Sequence, residues 1–246
     1  MQSTTTPSLS EGATAAPVSA ACGSRGAALR LLTAPGRSLL QSLLPGIRPW
    51  QQAVAAALFI GLVTGLARVR FYLPDNPVPI TLQTFGVLLT GAVLGWRWGL
   101  VSAVGYYVLG MAGAPVFQGG GNGWHYVSGT VTGGYLLGFI LAVGVVGFLS
   151  QRGWDRGRSL WPVTLGALAV YAPALVWLSV FDFGWPKPGQ LFSSAMYPFI
   201  PGDLVKLLGA ALVTGALWRL ADAKQGRRSA RFQGERHGAD TDPGVR

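Results

Sequence analysis

Long apolar segments separated by short polar or proline-rich connections extend from about residue 53 to residue 220 of the 246-residue chain. An apolar helix of roughly 20 residues can cross a bilayer, because each residue adds ~1.5 Å to its length. The pattern predicts six such helices, over residues 53–69, 80–95, 99–112, 132–149, 160–180 and 203–220. We therefore predict an all-α polytopic membrane protein, with a bundle of six transmembrane helices in residues 49–220.

The two ends of the chain lack this pattern. Residues 1–25 are rich in Ser, Thr, Ala and Pro, a composition typical of disordered tails. Leu39, Leu40, Leu43 and Leu44 then recur at helical spacing, which predicts a short helix on the membrane surface or, alternatively, a linker. We assign residues 1–48 to a basic N-terminal tail and residues 221–246 to a disordered basic C-terminal tail.

Small residues occupy every fourth position of the first span, at Ala53, Ala57, Gly61 and Gly65. Helices in lipid associate through close backbone packing, so such a stripe predicts a contact with another helix. The spacing leaves open whether that helix belongs to this chain or to another subunit.

Lysine and arginine are concentrated on one side of the predicted bundle. The formal net charge is +10, and fifteen of the nineteen Lys and Arg residues lie in the two tails, at the end of span six and in the connections after spans two and four. Connections on the other side hold Arg68, Arg70 and Lys187. Positive loops stay in the cytoplasm, which predicts a multi-pass protein of the cytoplasmic membrane with both termini inside. No motif or aromatic-basic pattern indicates nucleic-acid binding.

A glycine-rich segment separates the third and fourth spans. Residues 114–129 read A-P-V-F-Q-G-G-G-N-G-W-H-Y-V-S-G, with five glycines among polar and aromatic residues. Irregular backbone at membrane depth is tolerated where it is buried in protein or lines a cavity. The segment therefore predicts an external loop or re-entrant lid, and an ordinary flexible loop is the alternative.

The last span carries an acid and a base near its start. Asp203 and Lys206 follow Pro201-Gly202 in an otherwise apolar helix. Charged side chains in membrane segments usually face the bundle interior and mark functional sites, and the helix N-terminus favours an anion. We predict that the pair anchors a ligand pocket at the outer end of the bundle, near the polar start of span two; a purely structural salt bridge is the alternative.

Motifs of the common enzyme classes are missing from the sequence. It contains neither the phosphate-binding G-x-x-x-x-G-K-[ST] motif nor the zinc motif H-E-x-x-H. Its single cysteine, Cys22, and its two histidines, His125 and His237, do not form a metal-ligand pattern. We predict a protein that is not an enzyme and has no metal or cofactor of its own. An intramembrane enzyme whose catalytic groups meet only in the fold stays open.

Four segments resemble one family in their order and intervals. They are V-P-I-T-L-Q-T at 78–84, G-A-P-V-F at 113–117, G-G-Y-L-L-G-F at 133–139 and P-F-I-P-G-D-L-V-K at 198–206. Over roughly residues 52–220 the chain thus resembles the BioY family, the substrate-binding S subunits of energy-coupling-factor (ECF) biotin transporters. The resemblance implies high-affinity biotin uptake as part of an ECF-type ABC transporter. The alternative is a self-sufficient, proton-coupled secondary transporter for a small carboxylated vitamin.

The resemblance also implies partners and a site. A transmembrane coupling subunit and ATP-hydrolysing subunits are expected to supply the energy, with docking at the stripe of Ala53, Ala57, Gly61 and Gly65. Asp203 and Lys206 are expected to hold the ureido group or the carboxylate of biotin. The remaining expected contacts are polar Gln83, Gln118 and Asn122, the aromatic walls Tyr106, Phe117, Trp124 and Tyr135, and Arg68 or Arg70 as a rival carboxylate clamp.

Overall fold

A computed structural model describes residues 36–155 and 160–240, so the predictions for residues 1–35 and 241–246 lie outside the described residues. The helices are α1 (Leu39–Leu43), α2 (Pro49–Leu66), α3 (Gln83–Met111), α4 (Trp124–Ser128), α5 (Gly133–Gln151), α6 (Trp161–Val180), α7 (Leu191–Ala195) and α8 (Ile200–Asp240). Short 3-10 turns lie at Gln118–Gly120 and Tyr197–Phe199. Strands β1 (Arg70–Phe71) and β2 (Ile80–Thr81) pair antiparallel.

Five segments of the described chain are long and apolar enough to cross a membrane. They are Pro49–Leu66, Gln83–Met111, Gly133–Gln151, Trp161–Val180 and Leu191–Arg227, the last of which includes α7 and the apolar part of α8. The predicted number was six. The difference arises at α3, since this one helix covers both the second and the third predicted spans.

α3 reverses direction at Gly95, whose backbone is not helical (φ 75°, ψ −179°). Gln83 Nε2 donates a hydrogen bond of 2.7 Å to the Tyr106 hydroxyl across 23 residues, which would span ~35 Å in a straight helix. The two arms, residues 83–94 and 96–111, therefore lie side by side and antiparallel. A positive φ at this tight reversal is readily adopted by glycine.

Glycines bring α5 into close contact with both of its neighbours. A Cβ atom at Gly138 would lie 2.2 Å from the Val170 carbonyl oxygen of α6, and one at Gly147 would lie 2.5 Å from the Trp96 backbone nitrogen of α3. Helices in lipid are held together by such close packing rather than by a hydrophobic driving force. α5 is therefore the central helix of the bundle, clamped between α3 and α6.

The antiparallel helices give the bundle two ends. The site end combines the end of α2, both ends of α3 and the starts of α5 and α8. The terminal end combines the reversal at Gly95 with the end of α5 and the connection after it. There the Trp218 indole donates to the buried Asp155 carboxylate at 2.8 Å, and the Gly36 N–H donates to the Gln151 carbonyl at 2.8 Å.

The short helix α1 lies before the first span, with Ser38 as its N-cap. Leu39 is fully buried in a cluster that includes Leu89, Val93 and Trp218, so protein covers this side of the helix.

The C-terminal segment also differs from the prediction. α8 continues to Asp240, so residues 221–240 are helical where a disordered tail was predicted. The segment contains no proline, and its Ala, Arg, Gln and Lys residues are strong helix formers. Extending an existing helix avoids the cost of nucleation, a factor that composition alone does not reveal.

Replacement of Gly138 by alanine is expected to destabilise the bundle, because the added methyl group overlaps backbone atoms of α6. We expect Gly138→Ala to lower the free energy of unfolding by about 1–3 kcal/mol, measured by thermal denaturation in detergent. The matched control is Gly61→Ala, where a Cβ meets no atom within 4 Å. Equal melting temperatures for the two variants would contradict the packing described for α5.

Candidate functional site

A cleft opens at the site end of the bundle, between β2, α3, α5, α6 and α8, with the glycine-rich segment along one side. The walls are mainly apolar and aromatic, with a few polar groups, as is typical of small-ligand sites. They are formed by Val78, Pro79, Ile80, Thr81, Gln83, Thr84, Gln118, Tyr126, Thr132, Tyr135, Leu136, Phe139, Val170, Tyr171, Phe199, Asp203 and Lys206. About 60 Å³ of free space lies between them, which is room for a few water molecules.

An ion pair from the first turns of α8 lies in this cleft. Lys206 Nζ is 2.8 Å from Asp203 Oδ1, and the two side chains are 6% and 16% exposed. The second carboxylate oxygen, Oδ2, accepts a hydrogen bond from the Tyr171 hydroxyl of α6. Asp203 also lies at the positive end of the helix dipole, which stabilises its charge. The cleft therefore offers a fixed anionic acceptor beside a cationic donor.

A chain of hydrogen bonds positions Gln83 at the opposite wall. The Thr81 hydroxyl donates to Gln83 Oε1 at 3.1 Å, and Gln83 Nε2 donates to the Tyr106 hydroxyl at 2.7 Å. Tyr106 in turn donates to the Val116 carbonyl at 3.1 Å. Tyr106 is buried behind the wall rather than lining it, so it positions Gln83 and connects α3 to the glycine-rich segment.

Two tyrosines differ in how their hydroxyl groups are satisfied. Tyr135 donates to the Ala195 carbonyl at 2.5 Å, and its ring packs edge-on against Tyr171 at 6.3 Å. The buried Tyr126 hydroxyl lies near Gln118 and Thr132, yet it has no hydrogen-bond partner within the described part of the chain. Burial raises the pKa of the Tyr126 phenol, so the group stays neutral. It is a polar group in the wall that a ligand can satisfy.

The glycine-rich segment is anchored by an aromatic side chain. Phe117 is completely buried, stacks on Tyr126 at 5.5 Å and meets Tyr106 edge-on at 5.4 Å. Its ring fills the space that a side chain at Gly110 would need, since a Cβ there would lie 2.0 Å from the ring. Phe117 was predicted to form a pocket wall, but it lies beneath the segment and holds it in place.

Four other predicted contacts lie outside the cleft. Trp124 is 61% exposed, and the exposed Asn122 donates to the Gly120 carbonyl at 3.0 Å. Arg68 donates to the Pro115 carbonyl at 2.6 Å, and Arg70 donates to Gln118 Oε1 at 3.4 Å. The two arginines thus hold the glycine-rich segment from outside. Hydropathy and spacing could not reveal this, because they do not show which side of a loop faces the bundle.

The cleft brings together five of the predicted residues and several that the sequence did not single out. Asp203, Lys206, Tyr135, Gln83 and Gln118 all line it. The added residues are Tyr171, Tyr126 and Thr132. Tyr171 had a signal in the sequence, because a phenol in the middle of an apolar span is a polar group at membrane depth.

Two further predictions concern other parts of the surface. The small residues Ala53, Ala57, Gly61 and Gly65 of α2 are all exposed, and a Cβ at either glycine would meet no atom within 4 Å. The stripe therefore faces away from the rest of this chain. Across residues 36–155 and 160–227, no group of three or more His, Cys, Asp or Glu side chains is arranged to hold a metal ion.

Comparison with known proteins gives one consistent result. The family model of the BioY family matches residues 39–223. The biotin transporter BioY of Thermotoga maritima is 33% identical over 69% of this chain and 97% of its own length, and that of Rhizobium etli is 34% identical over 67% and 91%. A crystal structure at 2.1 Å of the S-component for biotin from an ECF-type ABC transporter superposes with a TM-score of 0.62, at 25% identity, over 71% of this chain and 95% of the other.

The anchoring role of Phe117 predicts a difference between two aromatic residues of the same segment. Phe117→Ala is expected to lower the free energy of unfolding by about 3–5 kcal/mol, because it empties a fully buried site. Trp124→Ala, the matched control at an exposed position, is expected to leave it nearly unchanged. Thermal denaturation and limited proteolysis of the segment measure both effects. Similar losses in the two variants would contradict the assignment.

Proposed function

Because the chain belongs to the BioY family, we propose that it binds biotin with high affinity and serves as the substrate-specific subunit of an ECF-type ABC transporter. It is a transport protein rather than an enzyme, as its family and relatives are. The observation that carries the proposal is the enclosed Asp203–Lys206 pair in an apolar, aromatic cleft.

The chemistry of biotin complements this pair. Its ureido group has two N–H donors and a carbonyl acceptor, and its valeryl tail ends in a carboxylate. Ionised Asp203 accepts from the ureido N–H groups, while Lys206 donates to the ureido carbonyl or to the carboxylate. Such charge-assisted bonds are strong in an enclosed site. Tyr171 fixes the carboxylate of Asp203 from the side of α6.

The walls account for the rest of the ligand. Tyr135, Phe139 and Phe199 supply apolar surface for the thioether ring. The unpartnered Tyr126 hydroxyl and the amide of Gln118 supply further polar contacts. Arg68 and Arg70 hold the glycine-rich segment and act on the ligand through it.

Binding requires the cleft to widen. Its free space of about 60 Å³ is too small for a bicyclic ligand, so side chains at its edge have to move. The glycine-rich segment supplies Gln118 and Tyr126 to the wall, and Gly119, Gly120 and Gly123 in this segment have positive φ angles. We propose that this segment is a lid that opens to admit biotin and closes over it.

The reversal within α3 supports a proposed arrangement of the chain in the membrane. We propose that the two arms of α3 enter the membrane as separate passes, which together with α2, α5, α6 and α8 would make six passes. Arg48, Arg97, Arg152 and Lys224 lie at the terminal end, whereas Arg68, Arg70 and Lys187 lie in connections at the site end. This distribution supports a cytoplasmic terminal end and an external cleft in the cytoplasmic membrane.

Energy comes from partner subunits in this proposal. The chain has no ATP-binding motif, and the structural relative is the S-component of an ECF-type ABC transporter. We propose that a transmembrane coupling subunit docks on the exposed stripe of α2 and connects the chain to ATP-hydrolysing subunits. The comparisons do not favour the alternative of a lone proton-coupled transporter.

Substitution of the ion pair is expected to weaken biotin binding. Asp203→Asn removes the charge that strengthens the acceptor, and Lys206→Ala removes the donor. Each is expected to raise the Kd for biotin by about 10- to 100-fold, since a hydrogen bond to a charged group is worth about 1.5–3 kcal/mol. Isothermal titration of the purified chain, without nucleotide or ion gradient, measures the change.

The matched controls make the same chemical changes outside the cleft, at Asp182→Asn and Lys187→Ala, which are exposed in the loop after α6. They are expected to bind biotin like the wild type. Wild-type affinity in both cleft variants would assign the ion pair to a structural role. An absence of biotin binding by the wild-type chain would overturn the proposed function.

Bulky residues on the stripe are expected to block assembly but not biotin binding. Ala57→Leu combined with Gly61→Leu fills the surface that the coupling subunit is proposed to approach. Co-purification with that subunit is expected to fall by more than about tenfold, since close helix contacts do not accommodate large side chains. The control enlarges neighbouring exposed positions, Val54→Phe with Leu58→Phe. If both double variants co-purify with the coupling subunit to the same extent, the stripe is not the docking surface.

A further inference from the structure

An apolar groove lies on the outside of the bundle, separate from the cleft. α5 forms its floor, with Gly144 at the centre and the half-exposed Leu141 and Phe148 along its length. Trp96 and Leu100 of α3 form one wall, and Pro173 of α6 belongs to the other. The space above Gly144 is bounded by Leu100, since a Cβ at Gly144 would lie 3.5 Å from Leu100 Cδ2.

The dimensions of the groove match one leaflet of a bilayer. Its residues on α5 extend from Leu137 to Phe148, which corresponds to ~16 Å along the helix. The hydrocarbon core of a bilayer is about 30 Å thick, so the groove is about as long as one leaflet is deep. It ends at the terminal end of the bundle, where α5 ends.

Two arginines flank the terminal-end mouth of the groove. The Arg97 guanidinium carbon lies 5.2 Å from the centre of the Trp96 ring, and that of Arg152 lies 3.9 Å from the centre of the Phe148 ring. The backbone N–H of Trp96 donates to Gln151 Oε1 at 3.3 Å. The chain segments that carry Arg97 and Arg152 are therefore in direct contact. Among the described residues, no ion pair joins either arginine to a carboxylate.

We propose that this groove binds one anionic phospholipid, with its phosphate between Arg97 and Arg152 and an acyl chain over Gly144. A guanidinium stacked on an aromatic ring keeps its N–H donors in a fixed plane that suits phosphate. Basic pockets between transmembrane helices are a recognised mode of anionic-lipid binding. The site lies outside the cleft, and the inference does not depend on biotin as the transported ligand.

A phospholipid fits this surface better than a second copy of the chain. Burial of two arginines in a protein interface is costly unless the partner supplies acidic groups. A phospholipid supplies the negative charge and the apolar chain together, in the arrangement that the groove presents. Trp96 lines the apolar groove and also lies under the Arg97 guanidinium. Tryptophan is favoured at membrane interfaces, where headgroup and acyl chain meet.

The test measures phospholipid retention by native mass spectrometry. Purified chain is delipidated and exchanged into mixed micelles that contain equal amounts of phosphatidylglycerol and phosphatidylcholine. The wild type is expected to retain one phosphatidylglycerol per chain with at least about tenfold preference, since each arginine near the headgroup contributes to the attraction. Arg97→Gln with Arg152→Gln is expected to abolish the preference. Gly144→Leu is expected to reduce retention of both lipids by filling the groove.

The matched control is the double variant Arg219→Gln with Arg227→Gln. Both arginines are exposed on α8, at the same end of the bundle as the groove mouth. The control has the same net charge as the groove variant and is expected to keep the phosphatidylglycerol preference. Biotin titration and melting temperature show that each variant is folded. Equal preference in the groove and control variants would overturn the proposal. A dimer in the wild type that Gly144→Leu dissociates would show instead that a second copy occupies the groove.

Discussion

An aspartate and a lysine within one turn of an otherwise apolar helix have to be enclosed by protein, and the site end of this bundle is built around them. α8 begins at Ile200 and places both side chains inside the bundle rather than in lipid. α6 supplies the Tyr171 hydroxyl to the free carboxylate oxygen, and α5 supplies Tyr135, which packs against Tyr171. An unpaired charge at this depth would be costly, so the pair and its enclosure depend on each other.

The close approach of α5 to both neighbours makes that enclosure possible. Because Gly138 allows backbone contact with α6 and Gly147 allows it with α3, these three helices converge on a narrow cleft. The remaining wall comes from the glycine-rich segment, which Phe117 fixes from beneath while Arg68 and Arg70 hold it from outside. A wall fixed by few anchors can open locally without disturbing the helices.

Much of this arrangement is legible in the sequence, and the exceptions have physical causes. Apolar length identifies α2, α5, α6 and α8, and the rarity of charge in such segments identifies Asp203 and Lys206. The same criteria cannot distinguish Phe117 from Trp124, since both are aromatic residues of one loop and only packing buries one of them. They also do not specify that a single glycine, Gly95, joins two predicted spans into one reversing helix. Tyr171 was missed because its role depends on a partner 32 residues away.

The most direct test of the proposed biotin site is a structure of the chain with biotin bound. We expect the bicyclic ring between Tyr135 and Phe199, a ureido nitrogen within hydrogen-bonding distance of Asp203, and Lys206 within reach of a ligand oxygen. We also expect the glycine-rich segment to lie closed against the ligand, with Gln118 and Tyr126 in contact with it. Biotin bound elsewhere, with the Asp203–Lys206 contact still at 2.8 Å and neither residue touching the ligand, would contradict the proposed site.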